Sequence, residues 1–269
     1  FFTILVLKMG VSGAACATVL SQLVSAVLCF LRIRSGFTIL HISKNDLEWE
    51  RERMRILYQN GLAMALMSSL VNCGTLILQT GINKLGTNII VAHTAARKVF
   101  EIFSLPVSVF GASMATYCGQ NVGAGKIDRV KRGIWLAIVY TAIWSGLTII
   151  ASYTIGGWLV YLVTGSHNKT VILNATNYLK FDTLFYIVTT LICILRNAMQ
   201  GLGDHITPLI SSGLEMAGKI VIAATLVPWL GYTGVIICEP IVWFIMVIPL
   251  LIQTFRMPVL RTEKTDGKI

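Results

Sequence analysis

This chain of 269 residues is 55% hydrophobic and only 13% charged, with a mean hydropathy of +0.74, whereas about a quarter of a typical soluble domain is charged. Its net charge of +10 could suggest binding to nucleic acid. However, fourteen of the 22 Lys and Arg residues fall in three places beside apolar runs: 32–55, 126–132 and the tail from Arg256. This is the positive-inside pattern, which excludes nucleic acid as the partner and places these links and the C-terminus in the cytoplasm.

Seven apolar runs are each long enough to cross a bilayer as a helix, which takes about 20 residues. In chain order they are 10–31, 59–82, 88–118, 133–163, 178–200, 207–229 and 232–255. The sequence therefore predicts an all-α, polytopic protein of the plasma membrane with about seven transmembrane helices. Because the chain opens at Phe1 inside an apolar run and the number of spans is odd, we expect an N-terminally truncated fragment.

The first and last spans open with the same pattern of glycine and small residues. Gly10-Val11-Ser12-Gly13 begins one, and Gly231-Tyr232-Thr233-Gly234 begins the other. Small residues at this spacing allow membrane helices to pack closely, and parallel repeats are a transporter architecture. The repeat predicts that 1–34 is the last helix of a truncated N-terminal lobe and that 56–256 is a complete six-helix C-terminal lobe. The polar stretch 35–55 would be a cytoplasmic linker with a short surface helix near Asn45, and 257–269 a cytoplasmic tail.

Polar side chains in the second and third spans have two interpretations. Asn72 and Gln79 are seven residues apart and share a helix face, so they line a pathway or hydrogen-bond to a neighbouring helix. Arg97 and Glu101 are one turn apart and can pair, and Pro106 is expected to kink the same helix. The charged turn lies either near the membrane surface or, with Arg97 and Glu101, on the wall of a cavity.

Two other patterns that often mark chemical sites are interpreted structurally. The glycine-rich link 119–126 lacks both the preceding strand and the Gly-Lys-Ser/Thr ending of a phosphate loop. It predicts a tight turn with a basic, membrane-facing rim instead of a nucleotide site. The six cysteines have no paired spacing, so we expect packing residues instead of disulfides or metal ligands. No cofactor is predicted, and no metal site is assigned.

The link between the fifth and sixth spans is short and polar. Arg196, Gln200 and Asp204 crowd around it, and Gly201 and Gly203 are expected to end the preceding helix, because glycine adopts the left-handed cap conformation. The hydroxyl of Thr207 is expected to cap the next helix, and Pro208 to occupy its first position.

An ionisable pair lies inside the sixth span. Glu215 and Lys219 are one turn apart in an otherwise apolar segment. Because such groups are costly in lipid, they must face protein or a water-filled cavity. The pair either fixes two helices relative to each other or supplies a functional carboxylate. Arg196 is interpreted as a cytoplasmic gate or a helix-locking contact.

Several runs of residues resemble one transporter family. These runs are Asn83-Lys84-Leu85-Gly86-Thr87 before Ala92; Gly119-Gln120-Asn121-Val122-Gly123-Ala124-Gly125 with Asp128-Arg129-Val130; Arg196-Asn197-Ala198-Met199-Gln200-Gly201-Leu202-Gly203-Asp204 followed by Pro208 and Glu215; and Gly231 to Trp243. In this order they resemble the C-terminal half of the multidrug and toxic compound extrusion (MATE) family, and the resemblance covers nearly the whole chain.

The resemblance implies twelve helices in two lobes around a V-shaped cavity, in a protein that is monomeric at full length. It implies export of cationic or amphipathic drugs across the lipid bilayer in exchange for Na⁺ or H⁺, without enzymatic activity. Some members carry a glutamate in the helix that corresponds to 59–80, where this chain has no acidic residue. Coupling is therefore expected in the missing half, and Asp182, Glu215 and Glu239 are the remaining acidic candidates here.

Three alternatives stay open at the level of sequence. A flippase for a lipid-linked precursor would need a more basic cavity, to hold phosphates. An integral-membrane enzyme would need clustered His, Asp or Cys, but the four histidines are scattered. A membrane scaffold or receptor would transport nothing.

Overall fold

The computed structural model describes residues 10–37, 41, 50–165 and 167–257. The predicted surface helix near Asn45 and the tail beyond Met257 lie outside these residues. Within them the chain forms nine helices and no strand: α1 (Gly10–Gly36), α2 (Arg51–Asn83), α3 (Thr87–Gly123), α4 (Ile127–Thr154), α5 (Gly156–Thr164), α6 (Lys169–Leu184), α7 (Tyr186–Gly201), α8 (Ile206–Leu230) and α9 (Tyr232–Arg256). The predicted all-α class is confirmed.

Six of these helices are long and apolar enough to cross a membrane, and the number rises to seven if α6 and α7 count as one bent span. The polytopic membrane class is confirmed. The chain divides into two compact units, Phe1–Ile56 and Leu57–Ile269. The first contains α1 and the start of α2, and the second contains the rest of α2 and all later helices.

Two predicted spans are broken in the structure. Within the predicted span 133–163, the chain leaves helical geometry at Ile155 (φ −117°, ψ 5°), just before two glycines, which separates α4 from α5. The predicted span 178–200 consists of two helices, since α6 and α7 meet at Phe185 with a bend of 57°. α6 starts earlier than predicted, at Lys169, where the Asn168 side chain accepts a hydrogen bond from the Thr170 backbone at 3.0 Å.

α3 contacts α4, α5, α6 and α7 in the second unit. It runs through Pro106 without interruption. Proline deprives the carbonyl four residues earlier of its helical donor and loosens the adjacent turn. In that turn the Phe103 carbonyl accepts two side-chain hydrogen bonds, from Trp144 Nε1 at 2.9 Å and Tyr186 Oη at 3.0 Å. These bonds fasten α4 and α7 to the turn before the proline.

The link between α7 and α8 is built differently from the prediction. Gly203 has the expected positive φ of 86°, but Gly201 is needed for close packing, since a Cβ there would lie 2.2 Å from the Ala115 carbonyl oxygen. Thr207 does not cap α8. Instead the Asp204 carboxylate accepts from the backbone N–H groups of Ile206 (3.1 Å) and Thr207 (3.0 Å), and the Thr207 hydroxyl also donates to it.

The Asp204 cap also ties α8 to the end of α9. Gln253 Nε2 donates to Asp204 Oδ2 at 2.9 Å. Burial alone would raise the pKa of the Asp204 carboxyl, but the hydrogen bonds from Thr207, Gln253 and Ile206 outweigh it and hold the pKa below its usual value. The link is therefore stabilised by the charged form of one carboxylate.

Candidate functional site

Five ionisable side chains of alternating sign form a chain through the second unit, which we call the ion-pair network: Arg97 of α3, Glu239 of α9, Lys219 and Glu215 of α8, and Arg196 of α7. Lys219 Nζ is at the centre, 2.9 Å from Glu215 Oε1 and 3.5 Å from Glu239 Oε1. Each glutamate also has an arginine: Arg196 Nη2 lies 3.8 Å from Glu215 Oε2, and Arg97 Nη1 lies 3.6 Å from Glu239 Oε1. The network joins four helices.

The network is buried at its centre and opens at its ends. The Lys219 side chain is 3% exposed and the two glutamates are 6% and 9% exposed, whereas Arg97 is 30% and Arg196 is 15% exposed. Burying these charges is tolerable only because each one is paired. The groups that the network presents at its accessible ends are thus guanidiniums, not carboxylates.

α2 packs directly against the centre of the network. A Cβ at Gly74 would lie 3.1 Å from the Met216 Cα and 3.3 Å from the Lys219 Cδ, so a glycine lets the two helices approach there. One residue further on, the Thr75 hydroxyl accepts a hydrogen bond from Lys219 Nζ at 3.4 Å. Lys219 therefore has partners on α2, α8 and α9.

The predicted pairings had opposite outcomes. The pair of Glu215 and Lys219 is present as the spacing predicted. The predicted pair of Arg97 and Glu101 is wrong, because Arg97 reaches across to α9 while Glu101 accepts from Lys98 Nζ at 2.8 Å on the exposed face of α3. Within a helix, spacing decides which residues can meet, but not which way the helix is rotated in the bundle.

A second group, which we call the Asp182 cluster, lies beside the network and comprises Asp182 and Tyr178 of α6, His93 of α3 and Tyr232 of α9. The His93 ring packs edge-on against both tyrosine rings, with centroids 5.0 Å (Tyr178) and 6.2 Å (Tyr232) away. The two tyrosine rings are stacked at 6.4 Å. Asp182 and Tyr178 are fully buried one turn apart, so both side chains project from one face of α6 towards these rings.

Several polar atoms of the Asp182 cluster make no direct hydrogen bond of good geometry with a described residue, although Tyr178 interacts with both Asp182 and Arg97. Among the described residues no group forms such a hydrogen bond with either Asp182 carboxylate oxygen, with the hydroxyls of Tyr178 and Tyr232, or with His93 Nδ1. Asp182 also has no salt bridge there; its electrostatic neighbours include Glu239, Arg97 and Lys219 of the network, as well as Tyr178. Burying a carboxylate without a well-formed hydrogen bond or salt bridge is costly, so the described protein groups leave Asp182 poorly compensated.

The other predicted site residues lie apart from these two groups. Asn72 is exposed on α2, and Gln79 donates to Asn83 of the same helix at 2.9 Å, so these two amides do not act together. Gln200 donates to the Met67 sulfur at 3.5 Å. The structure thus brings together Arg97, Asp182, Arg196, Glu215 and Lys219, and leaves Asn72, Gln79, Glu101 and Gln200 outside the network and the cluster.

Sequence reasoning did not identify His93, Tyr178 or Tyr232 as site residues. One signal was present for Tyr178, since it precedes Asp182 by one turn in the same way that Glu215 precedes Lys219. In the part of the chain that the structure describes, no three His, Cys, Asp or Glu side chains are grouped to hold a metal ion. All six cysteines are free; Cys118 and Cys238 are buried as packing residues, whereas Cys16, Cys29 and Cys73 are exposed.

Comparisons with known proteins converge on one family. The family model MatE matches residues 63–225. Two curated proteins of Bacillus subtilis (strain 168) are similar: "Probable multidrug resistance protein YoeA", 24% identical over 58% of this chain and 32% of its own length, and "Probable multidrug resistance protein YpnP", 23% identical over 86% of this chain and 51% of its own length. This chain therefore spans between about a third and half of the curated relatives that it matches.

Solved structures agree with this result at the level of the fold. A MOP superfamily transporter from Pyrococcus furiosus superposes with a TM-score of 0.86 at 20% sequence identity, over 97% of this chain and 60% of that one. An outward-facing multidrug resistance MATE family transporter gives a TM-score of 0.85 at 20% identity, over 97% of this chain and 59% of that one.

Proposed function

Because the chain belongs to the MATE family, whose members are transporters and not enzymes, we propose that the intact protein is a secondary active exporter that exchanges cationic or amphipathic drugs for H⁺ or Na⁺. It would act in the plasma membrane as a monomer, with its basic links and C-terminus in the cytoplasm. The names of the two Bacillus relatives support multidrug resistance as the biological role. The support for cation coupling comes from a buried carboxylate in the second unit of this chain.

The observation that carries the coupling proposal is the fully buried carboxylate of Asp182, which forms no salt bridge with a described residue and whose oxygens make no direct hydrogen bond of good geometry there. A carboxylate in an apolar interior is stabilised either by a proton or by a cation with oxygen ligands. The hydroxyls of Tyr178 and Tyr232 both interact with Asp182, and Tyr178 also interacts with Arg97. These two oxygens are the candidate additional ligands for such a cation. We assign the coupling cation, H⁺ or Na⁺, to the Asp182 cluster, although the sequence predicted coupling in the missing half.

Coupling at Asp182 has a direct route to a conformational change. Asp182 is three residues before Phe185, where α6 and α7 meet at 57°. Binding a cation there changes the local charge by one unit beside Arg97 and Glu239, which are electrostatic neighbours of Asp182. A ligand shifts a two-state equilibrium by its difference in affinity for the two states. The bent span and the network beside it are the elements that such a shift would act on.

The test is drug efflux by the intact transporter in proteoliposomes, driven separately by a proton gradient and by a Na⁺ gradient. Asp182→Asn keeps the shape but removes the negative charge that would bind a proton or balance a Na⁺ ion, so the efflux of a cationic dye such as ethidium should fall at least tenfold under the coupling gradient. Asp182→Glu should restore part of it. Asp128→Asn, at an exposed carboxylate in the first turn of α4, is the matched control and should transport normally.

Each result has one meaning. If Asp182→Asn loses dye efflux only under the proton gradient, the coupling ion is H⁺; if it loses efflux only under the Na⁺ gradient, the coupling ion is Na⁺. Unchanged coupled efflux by Asp182→Asn refutes the assignment to this cluster but leaves the exporter proposal intact. Failure of the wild-type protein to move any cationic dye under either gradient refutes the exporter proposal itself.

One observation favours a second candidate, the transport of anionic amphiphiles such as a lipid-linked precursor. The accessible ends of the network are Arg97 and Arg196, while its glutamates are buried. Guanidiniums bind carboxylates and phosphates in bidentate geometry. Competition of an anionic amphiphile with ethidium, lost in Arg97→Gln/Arg196→Gln, would favour this candidate; an uncompeted cationic dye would reject it.

A further inference from the structure

A long apolar furrow runs along the outside of the second unit. Its lower part, at the Tyr117 end, lies between α3 and α4, and its upper part lies along α3. Its lower part has a volume of about 310 Å³ and is lined by Tyr117 and Met114 of α3 and by Leu136 and Tyr140 of α4, among others. Its upper part, of about 480 Å³, follows α3 from Ser113 to Leu105. Both parts include Phe110 and Ser113, so they form one continuous feature, which we call the α3–α4 furrow.

The furrow exists because of one glycine and two ring contacts. A Cβ at Gly133 would lie 2.4 Å from the Tyr117 Cε1, so the Tyr117 ring lies against the bare backbone of α4 at one end of the furrow. Further along, Phe110 and Tyr140 stack with centroids 6.3 Å apart. Its walls are therefore almost wholly apolar, with the Ser113 hydroxyl bonded back to the Val109 carbonyl at 2.9 Å.

The length of the furrow matches one leaflet of a bilayer. Leu105 and Tyr117 are twelve residues apart on one helix, which corresponds to about 18 Å at a rise of roughly 1.5 Å per residue. Half of a hydrocarbon core of roughly 30 Å is about 15 Å. A single acyl chain that starts at the Tyr117 end would thus follow the furrow through its own leaflet.

The Tyr117 end of the furrow is basic. Arg129 precedes Gly133, Leu136 and Tyr140 at helical spacing, so it continues the furrow face of α4 by one turn, and its carbonyl accepts from the Tyr117 hydroxyl at 3.2 Å. Lys126 and Arg132 are exposed beside it.

Neither Arg129 nor Arg132 forms a salt bridge with any described residue. The acidic side chain nearest in sequence, Asp128, is rotated by about 100° around α4 from Arg129 and lies one turn before Arg132. Arg129 therefore has no acidic neighbour at helical spacing, whereas Arg132 has one.

We propose that the α3–α4 furrow binds one anionic phospholipid, with an acyl chain between the two helices and the phosphate on Arg129, assisted by Lys126 and Arg132. Apolar walls alone would accept any lipid. The basic side chains at one end, of which Arg129 and Arg132 form no salt bridge within the described residues, select a negatively charged headgroup. Guanidiniums pair with phosphate oxygens, and positive charge attracts anionic lipid at the membrane surface. This site is independent of the coupling proposal.

The test is native mass spectrometry of the intact transporter titrated with palmitoyl-oleoyl phosphatidylglycerol, or with the phosphatidylcholine that carries the same chains. The wild type should retain one phosphatidylglycerol at least fivefold more tightly than phosphatidylcholine. Arg129→Gln/Arg132→Gln should remove that preference. Ser113→Trp, at an exposed position where the two parts of the furrow meet, should weaken the retention of both lipids.

The matched control is Arg51→Gln/Arg55→Gln, which removes the same charge from two exposed residues at the start of α2. It should leave the preference for phosphatidylglycerol within twofold of wild type. Equal retention of both lipids by the wild type would overturn the proposal. An equal loss of the preference in the control and in Arg129→Gln/Arg132→Gln would also overturn it, because it indicates general charge attraction. Full lipid retention by Ser113→Trp would overturn it as well, because it indicates a headgroup contact without a binding site for the acyl chain.

Discussion

Lys219→Met tests whether the ion-pair network is held together by its central cation. Lys219 lies 2.9 Å from one glutamate and 3.5 Å from the other, and all three side chains are less than 10% exposed. Removing one partner of a buried pair costs about 3–5 kcal/mol, against about 0–1 kcal/mol for an exposed pair. Because Arg97 and Arg196 still contact the two glutamates at 3.6 and 3.8 Å, we expect the lower end, about 3 kcal/mol.

The assay is the free energy of unfolding of the intact protein in mixed micelles, measured by reversible titration with denaturing detergent. A loss of about 3 kcal/mol lowers the folding equilibrium constant by roughly a factor of 10². Methionine fills a similar volume without charge, so the loss reflects the two stranded carboxylates and not a cavity. Lys98→Met is the control, because its pair with Glu101 is more than half exposed and should cost no more than about 1 kcal/mol.

A second background decides whether the reasoning is right. In Glu215→Gln/Glu239→Gln there is no buried carboxylate that could lose its cationic partner. Adding Lys219→Met to this background should therefore lower the free energy of unfolding by less than about 1 kcal/mol. The same cost in both backgrounds would refute the argument, since the effect would then come from packing against Gly74 and Met216 and not from the pairing of charges.

Two further predictions concern packing and capping. Gly201→Ala should lower the free energy of unfolding by about 1–3 kcal/mol, since its Cβ would meet the Ala115 carbonyl oxygen at 2.2 Å. Gly213→Ala is the control: no atom lies within 4 Å of the added Cβ, so the substitution should stabilise α8 by up to about 1 kcal/mol. Equal effects of the two substitutions in the detergent titration would contradict the packing argument. Because the folded-state pKa of Asp204 is lowered, its contribution is present above its ordinary pKa of about 4 and is lost as the pH falls through the lower folded value. Asp204→Asn should therefore be less stable than wild type at pH 7, and the difference should shrink in unfolding titrations below about pH 4; a pH-independent difference would show that the charge is unimportant.

The sequence predicted the class of the fold because the cost of exposing backbone polar groups to lipid leaves a long, apolar signature on every span. It did not predict the breaks at Ile155 and Phe185, where hydrophobicity continues while the backbone changes direction. Hydropathy measures the transfer of side chains and carries no information about backbone angles inside an apolar run. Only the Gly156-Gly157 pair hinted at the first break.

For the site, pairs within one helix were predictable in part and pairs between helices were not. Glu215 and Lys219 are fixed by their spacing along α8. Glu239 comes from α9, and its contact with Arg97 depends on how α3 and α9 are rotated, which the packing of many apolar side chains decides together. The same spacing rule therefore gave the wrong partner for Arg97. The Asp182 cluster needs three helices at once, so its tyrosines carried no signal of a site beyond their positions in apolar runs.

The joint at Phe185 turns one span into two rigid arms. The arm formed by α7 has 16 residues, or about 24 Å, so widening the angle by roughly 5° would carry its free end about 2 Å sideways. Arg196 lies near the far end of α7, while Asp182 lies close to the bend at Phe185. A small change in the angle between α6 and α7 would thus produce a larger displacement at the far end of α7. The 3.8 Å contact between Arg196 and Glu215 is the contact that this displacement would form or break first.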